Sequence, residues 1–298
     1  MSFVARTLRE VYRRELLPPV VQWRLAAFGM LDWIRVLERD LTPHLGPRTR
    51  PVLAAVSGRM FTRRLDAIAS ARGTSSRIAS ARSAGHAMSA LYGVTRTHRM
   101  SWIFDEAGGA TRTIRERLDA ERALWGMTPR DRWNEVATHL GELLIVLTED
   151  LPAHMPHARK VLGDACFRAG ARYARHMRKA LELPADPENA PALAIEVLRV
   201  SESVFRVNPE HWTESDANAN TGSIEGTACP WYSRPGWHAA HCGIFGQFQS
   251  GIASEFGLRY QLASTIPKHG GTTCKIELKP VQLRRSRDAV SQNTIANS

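Results

Sequence analysis

The sequence has no long apolar run, and that absence argues against a membrane-spanning protein. No window approaches the roughly 18 consecutive apolar residues of a membrane-spanning helix. Charged residues also punctuate the first twenty positions, where a secretory leader would carry an apolar segment. We therefore expect a cytoplasmic protein. Its 298 residues, 43% of them apolar, are enough to bury a core and argue against a disordered chain.

Cysteine is also scarce, with four in the chain: Cys166, Cys229, Cys242 and Cys274. Four thiols in a chain of this length are too few for a disulfide scaffold. In the cytosol such thiols are usually buried, reactive or bound to a metal, so each of the four is a candidate for one of these roles.

Lysine is nearly absent, and the positive charge lies in one part of the chain. Residues 1–130 hold 22 arginines, no lysine and 11 acidic residues, whereas residues 131–298 hold 18 basic and 18 acidic residues. An excess of this kind can attract nucleic acid or an anionic membrane surface. The 35 arginines against 5 lysines are also what codon bias produces, and this is the interpretation we favour.

Apolar spacing predicts that the first 130 residues are helical. The i, i+4, i+7 pattern predicts helices over residues 3–17, 20–41, 52–71 and 112–124. The segment 67–91 is rich in Ser, Ala, Gly and Arg, which favours a loosely ordered linker.

In the second half of the chain, the pattern of apolar and turn residues predicts helices followed by strands. Thr128 and Pro129 are a helix-start signal before a clear apolar stripe, and Cys166 lies within the apolar stripe of a helix over 157–183, which places it in the core. The remaining expected elements are a helix over 190–200, strands over 203–207, 211–214 and 222–228, a helix over 238–256, and an antiparallel pair over 258–266 and 273–278 across a turn at 267–272.

These elements predict an α+β protein with two parts and a tail. Residues 1–130 form a helical, Arg-rich region, and residues 131–280 form a domain of helices and an antiparallel sheet. Residues 281–298 have little to bury, which predicts a disordered tail.

Three thiols suggest a site in the second part. Cys229, Cys242 and Cys274 lie within 46 residues, at a strand end, inside a helix and at a strand start. On the predicted helix, His238 and Cys242 are i, i+4 neighbours, and an imidazole near a thiol can stabilise the reactive thiolate. His241 is a second candidate acid/base.

Zinc is an alternative for the same residues. Cys229, Cys242, Cys274 and His238 form a Cys₃His set, which suits tetrahedral zinc. No C-x₂-C pair occurs, and the separations of 13 and 32 residues differ from those of a zinc finger. Plain structural burial of the thiols is the third interpretation, and the residues alone leave all three open.

Four short motifs lie in the second part: Gly226-Thr-Ala-Cys-Pro-Trp231, Cys242 in the next helix, Leu262-Ala-Ser-Thr-Ile266 and Gly270-Gly-Thr-Thr-Cys274-Lys-Ile276. With these motifs, about residues 140–280 resemble the L-2-amino-thiazoline-4-carboxylic acid hydrolase family. The resemblance implies a small-molecule enzyme that hydrolyses a C=N or related C–N bond, with a role in a biosynthetic pathway. It implies Cys229 or Cys242 as the thiol, His238 or His241 as the acid/base, and Trp231 and Cys274 in the substrate pocket.

The sequence departs from this pattern, and the departures define an alternative function. Gly271 stands where the family has Asp. The related vinyl-4-reductase domains bind a small molecule and zinc, but Ala263 and Ile266 occupy the places of their usual Cys and Glu. The alternative is therefore a non-catalytic small-molecule or zinc-binding module. We expect a small-molecule partner, a homo-oligomer and no obligatory cofactor, with zinc as the alternative.

Overall fold

The computed structural model has the predicted α+β architecture, with a helical N-terminal region and a small antiparallel sheet. It describes residues 2–73, 81–95, 97–105, 118, 121–185, 188–205, 213–227, 231, 234–270 and 272–281. No helix in these ranges is both long and apolar enough to cross a membrane. The tail expected at 281–298 lies outside the described residues except for Val281.

Four helices build the described part of the N-terminal region, and the apolar spacing predicts the first three of them. They are α1 (Phe3–Arg13), α2 (Pro19–Leu45), α3 (Thr49–Ala71) and α4 (Ala81–Tyr92). Pro19 lies at the first position of α2, where its missing N–H costs nothing. Most of the helix expected at 112–124 lies outside the described residues.

Helix α4 corrects the prediction of a loosely ordered linker over 67–91. The small residues of this segment allow close packing. A Cβ on Gly85 would lie 2.3 Å from the carbonyl oxygen of Phe104, so the helix and that backbone meet at a distance that only glycine permits. Residues 74–80, between α3 and α4, are outside the described ranges.

Three long helices follow: α5 (Pro129–Asp150), α6 (Ala158–Ala180) and α7 (Ala190–Phe205). The predicted start of α5 is confirmed, since Thr128 and Asp131 form a reciprocal capping box. Helix α7 continues to Phe205, so the strand expected from Ser203 is wrong at its start. Ser203 donates to the carbonyl oxygen of Val200 and stays in the helix, while residues 206–212 are not described.

The sheet has four antiparallel strands in the order β1-β2-β4-β3. The strands are β1 (Thr213–Ala217), β2 (Gly222–Gly226), β3 (Leu258–Ser264) and β4 (Cys274–Pro280). Helix α8 (Ala239–Ser254) precedes β3, and a single turn, α9 (Ile266–His269), occupies part of the predicted turn before β4. The predicted pairing of the last two strands is confirmed, with Leu262 opposite Ile276.

The sheet has one face against helices and one face toward solvent. Ile224, Ile276 and Leu278 are buried and share a core with α7 and with the end of α8. On the other face Lys275 pairs with Glu225 at 3.2 Å. This division is the usual one for an antiparallel sheet.

A larger core joins the helices on both sides of residue 130. It contains side chains of α2, α3, α4, α5, α6 and α8. Buried polar pairs cross the same boundary, because Arg64 on α3 holds Glu135 on α5 through two hydrogen bonds of 2.8 and 2.9 Å. The N-terminal helices therefore pack directly on the helices of the second part.

Candidate functional site

Helix α8 is placed by an unusually close contact with α6. A Cβ on Gly170 would lie 1.9 Å from the carbonyl oxygen of Phe248, and a Cβ on Gly251 would lie 2.0 Å from that of Phe167. Each helix thus contributes a glycine at the point where it meets the other backbone. This crossing fixes the position of α8, which also contacts strand β3 of the sheet.

The side of α8 that faces the sheet carries one of the predicted thiols. Cys242, Phe245 and Gln249 have i, i+3, i+7 spacing and lie on one face of the helix. The thiol face, as we call it, consists of these three residues with Tyr260 and Leu262 on β3 and Cys274 at the start of β4, and each of the six is half-buried. The fold therefore brings together Cys242 and Cys274, two of the three predicted thiols.

The two thiols of this face lie close enough for the charge of Cys274 to act on Cys242. Burial is the main cause that raises the pKa of Cys242, and a negative charge on Cys274 raises it further. Burial also raises the pKa of Cys274, although its sulfur accepts a hydrogen bond from the backbone N–H of Ile266 at 3.3 Å, which favours the thiolate. Both side chains are therefore neutral thiols at neutral pH.

Tyr260 adds a polar group that the sequence analysis missed. Its hydroxyl donates to Gln249 Oε1 at 2.8 Å. Burial raises the pKa of Tyr260, and charges on Cys242 and Cys274 raise it further, which places the phenol near both thiols. The alternation of Leu258, Tyr260 and Leu262 in the predicted strand was the available signal, since it puts all three on one face.

Trp231 forms an aromatic wall beside the thiol face. Its ring packs edge-on against Phe245, with centroids 4.9 Å apart, and lies 5.3 Å from the ring of Trp237. Gly141 on α5 leaves room for the indole, because a Cβ there would lie 2.4 Å from the Trp231 ring. Among the described residues, the buried indole N–H of Trp231 has no hydrogen-bond partner.

His241 is buried, and both of its ring nitrogens have partners. Its Nδ1 accepts from the backbone N–H of His238 at 3.1 Å, so the proton of a neutral ring is on Nε2. Nε2 lies 2.7 Å from the hydroxyl of Thr148, which itself donates to the carbonyl oxygen of Ile145. Burial, with the nearby charge of His238, lowers the pKa of His241 to about 4. The ring therefore stays neutral and supports the helix start.

His238 lies before α8 rather than within it. Its backbone is extended, and its Nδ1 accepts from the backbone N–H of Ala240 at 3.3 Å, so it caps the helix. The helix begins at Ala239, one residue after the predicted start at His238. His238 is therefore the N-cap and not, as expected, a helical residue one turn before Cys242. The exposed ring of His238 packs on His241 with centroids 4.1 Å apart.

The other predicted residues are divided between the core and the segments that are not described. Cys166 is buried in the larger core, as predicted, and burial raises the pKa of its thiol well above the ordinary value. Cys229 and Gly271 lie outside the described residues. Within the part of the chain that the structure describes, no group of three or more His, Cys, Asp or Glu side chains could hold a metal ion. Cys242, Cys274 and His238 alone therefore do not form a zinc site.

A second polar cluster lies away from the thiol face, in the larger core. The Tyr92 hydroxyl lies 2.8 Å from His139 Nδ1, and His139 Nε2 lies 2.9 Å from Glu135 Oε1. Although burial alone would raise the pKa of Glu135, hydrogen bonds from Arg64 and His139 outweigh it and lower the pKa to about 2. Tyr92, His139, Glu135 and Arg64 are thus linked by successive hydrogen bonds, which connect α3, α4 and α5.

Comparisons with known proteins give no family. No family model matches the chain, and no curated protein matches it. Among solved structures it aligns with the Fe(II) unliganded H-NOX protein from K. algicida, with 12% identity and a TM-score of 0.23 over 76% of this chain and 97% of that one. A likeness of this strength carries no argument about fold or function.

Proposed function

We propose that this protein binds a small organic molecule at the thiol face. The observation that carries the proposal is the grouping of Cys242, Cys274 and Tyr260 between α8 and the sheet. Each interacts electrostatically with another, yet each stays partly exposed to solvent. Polar groups that converge beside apolar walls are the usual composition of a small-molecule site.

The surrounding residues define the class of ligand. The half-buried ring of Phe245, which packs on the buried Trp231, offers an aromatic surface for a flat molecule, and Gln249 and Tyr260 offer hydrogen bonds. A small, flat, polar heterocycle meets these conditions. The raised pKa values of Cys242 and Cys274 support ligand binding rather than attack by a thiolate.

A hydrolase is the second candidate, and one observation favours it. The backbone N–H of Ile266 donates to the sulfur of Cys274, and a hydrogen bond of this kind stabilises a thiolate. In a reaction of the type that the resemblance implies, a thiol adds to the C=N carbon and water then releases the opened product. Cys229 and Cys242 remain the other thiols of this candidate, and His238 is the acid/base with an exposed ring.

One experiment tests both candidates with the molecule that the resemblance names. The intact protein is treated with iodoacetamide from about pH 6 to pH 10, with and without 2-amino-thiazoline-4-carboxylic acid, and each thiol is followed by mass spectrometry. We expect Cys242 and Cys274 to label more slowly than a free thiol at pH 7, because their pKa values are raised above the roughly 8.5 of free cysteine. The bound compound should protect both.

Variants and product analysis separate the two functions. Cys242→Ala and Cys274→Ala should each weaken protection of the remaining thiol, whereas Cys166→Ala is the matched control, because Cys166 is buried elsewhere. A product heavier than the compound by one water, lost in either site variant and kept in the control, would establish the hydrolase. If neither site thiol labels even at pH 10, the face is inaccessible and both candidates fail.

A further inference from the structure

Exposed apolar side chains are concentrated at the N-terminus. Among the described residues, nine large apolar side chains are exposed, and six of them lie within residues 3–28. Phe3 is 80% exposed and Phe28 is 68% exposed, which is unusual for side chains of this size. The N-terminal surface consists of Phe3, Val4, Leu16, Val20, Val21 and Phe28.

The opposite side of this segment is anchored, so the exposed side chains point away from the protein. Leu8 and Tyr12 of α1 pack against the core beside the sheet. Arg9 holds Glu196 on α7 through hydrogen bonds of 2.6 and 2.7 Å. Gln22 on α2 donates to the carbonyl oxygen of Ser203 at 2.8 Å. Helix α1 and the start of α2 are therefore both fixed along α7.

Arginines lie among the exposed apolar residues. On α2, Val21, Phe28 and Arg35 have i, i+7, i+14 spacing and are exposed, and the exposed Arg24 lies over the ring of Trp23, with its Cζ 4.1 Å from the ring centroid. On α1, Arg6 is exposed and lies in the same first turn as Phe3 and Val4. Residues 1–28 contain five arginines and two glutamates, so this end of the protein is apolar and positively charged together.

We propose that the N-terminal surface docks on an anionic lipid bilayer. Apolar side chains that enter the headgroup boundary, with arginines beside them for the lipid phosphates, are the arrangement that holds a helix in the plane of a membrane. A second copy of this chain suits the surface less well, since pairing two such surfaces would bring arginine against arginine. The docking requires no membrane-spanning helix, and none occurs among the described residues.

The test is co-sedimentation of the full chain with vesicles. Vesicles of phosphatidylcholine alone are compared with vesicles that also contain phosphatidylglycerol, at low and high salt. We expect binding to the anionic vesicles that weakens as salt rises. The variant Phe3→Ser/Phe28→Ser should bind about tenfold more weakly for each phenylalanine removed, as expected for the loss of one large buried apolar group.

Controls use exposed apolar side chains outside the surface. Trp125 is 60% exposed and Val281 is 56% exposed, so Trp125→Ser/Val281→Ser removes similar groups elsewhere. The proposal is overturned if this control loses as much binding as the N-terminal variant, or if both vesicle types bind equally at all salt concentrations. It is also overturned if the chain binds neither type of vesicle. Sedimentation velocity then shows whether the surface instead joins two copies, as a dimer that Phe3→Ser/Phe28→Ser dissociates.

Discussion

A single histidine shows how a site residue changes role between sequence and structure. The sequence places His241 beside a thiol, where an imidazole can move protons. The fold uses both of its nitrogens to hold the start of α8, through His238 and Thr148. Residue type and neighbourhood were thus predictable. The hydrogen-bond partners were not, because Thr148 is 93 positions away in the chain.

The neutral state of His241 should make the stability of the protein depend on pH. The folded pKa of about 4 lies below the ordinary 6.5, so the unfolded chain binds more protons between these values. The free energy of unfolding should therefore fall as pH decreases from 6.5 to 4, by about 1–3 kcal/mol, and remain level with respect to this group below pH 4. Urea unfolding at several pH values measures it.

Two variants isolate this contribution from that of the carboxyl groups. His241→Gln should be less stable at pH 7 and should lack the additional decline between pH 6.5 and 4. His176→Gln is the control, because His176 is exposed and should leave the wild-type profile unchanged. An equally steep profile in His241→Gln would mean that other groups cause it.

At the scale of elements, the contact between α6 and α8 determines where the thiol face forms. Gly251 lies against the backbone of α6, whereas a Cβ on Gly243, in the same helix, would have no atom of another element within 4 Å. The two glycines therefore differ in surroundings but not in helix propensity. This makes them a matched pair for measuring what the close contact contributes.

Gly251→Ala should destabilise the protein by about 2 kcal/mol or more, because the new methyl group would overlap the carbonyl of Phe167 and force the helices apart. Gly243→Ala should instead stabilise it by about 0.5–1 kcal/mol through helix propensity alone. Thermal and chemical unfolding of both variants measure the difference. Equal effects would mean that the crossing relaxes freely and does not fix α8.

The elements themselves were largely predictable where periodicity was strong. Helix α5, helix α8 and the β3–β4 pair follow from apolar spacing and turn residues in the sequence. Helix α4 was missed because small residues have no apolar period, and its close contact with the backbone of Phe104 at Gly85 involves a residue outside the segment. The thiol face was half predictable: spacing selected Cys242 and Cys274, but only the strand register brings Tyr260 to them.

For the whole molecule, the shared core predicts that the two parts of the chain fold together. The larger core combines α2, α3 and α4 with α5, α6 and α8. A fragment of residues 127–281 would expose the apolar face of α5 and leave Glu135 without Arg64. We expect this fragment to bind the dye anilinonaphthalene sulfonate and to unfold without a cooperative transition.

The full chain is the control for this experiment, and it should unfold in a single transition by circular dichroism and by tryptophan fluorescence. A fragment of residues 127–281 with a sharp transition of its own would show that the second part is an independent folding unit. In that case the contacts of α2 and α3 with α5 would be an interface between two domains, and the core would not be continuous.

The glycine crossing of α6 and α8 also limits how this protein can diversify. Neither Gly170 nor Gly251 has room for even one more carbon, so the helical wall of the thiol face is constrained in its sequence as well as in its position. The strands are less restricted, since the half-buried Tyr260 and Leu262 of β3 meet this face through side chains, as in the hydrogen bond from Tyr260 to Gln249, and not through a close backbone contact. Adaptation to a new ligand would therefore accumulate around Tyr260 and Leu262, while the helices under them change little.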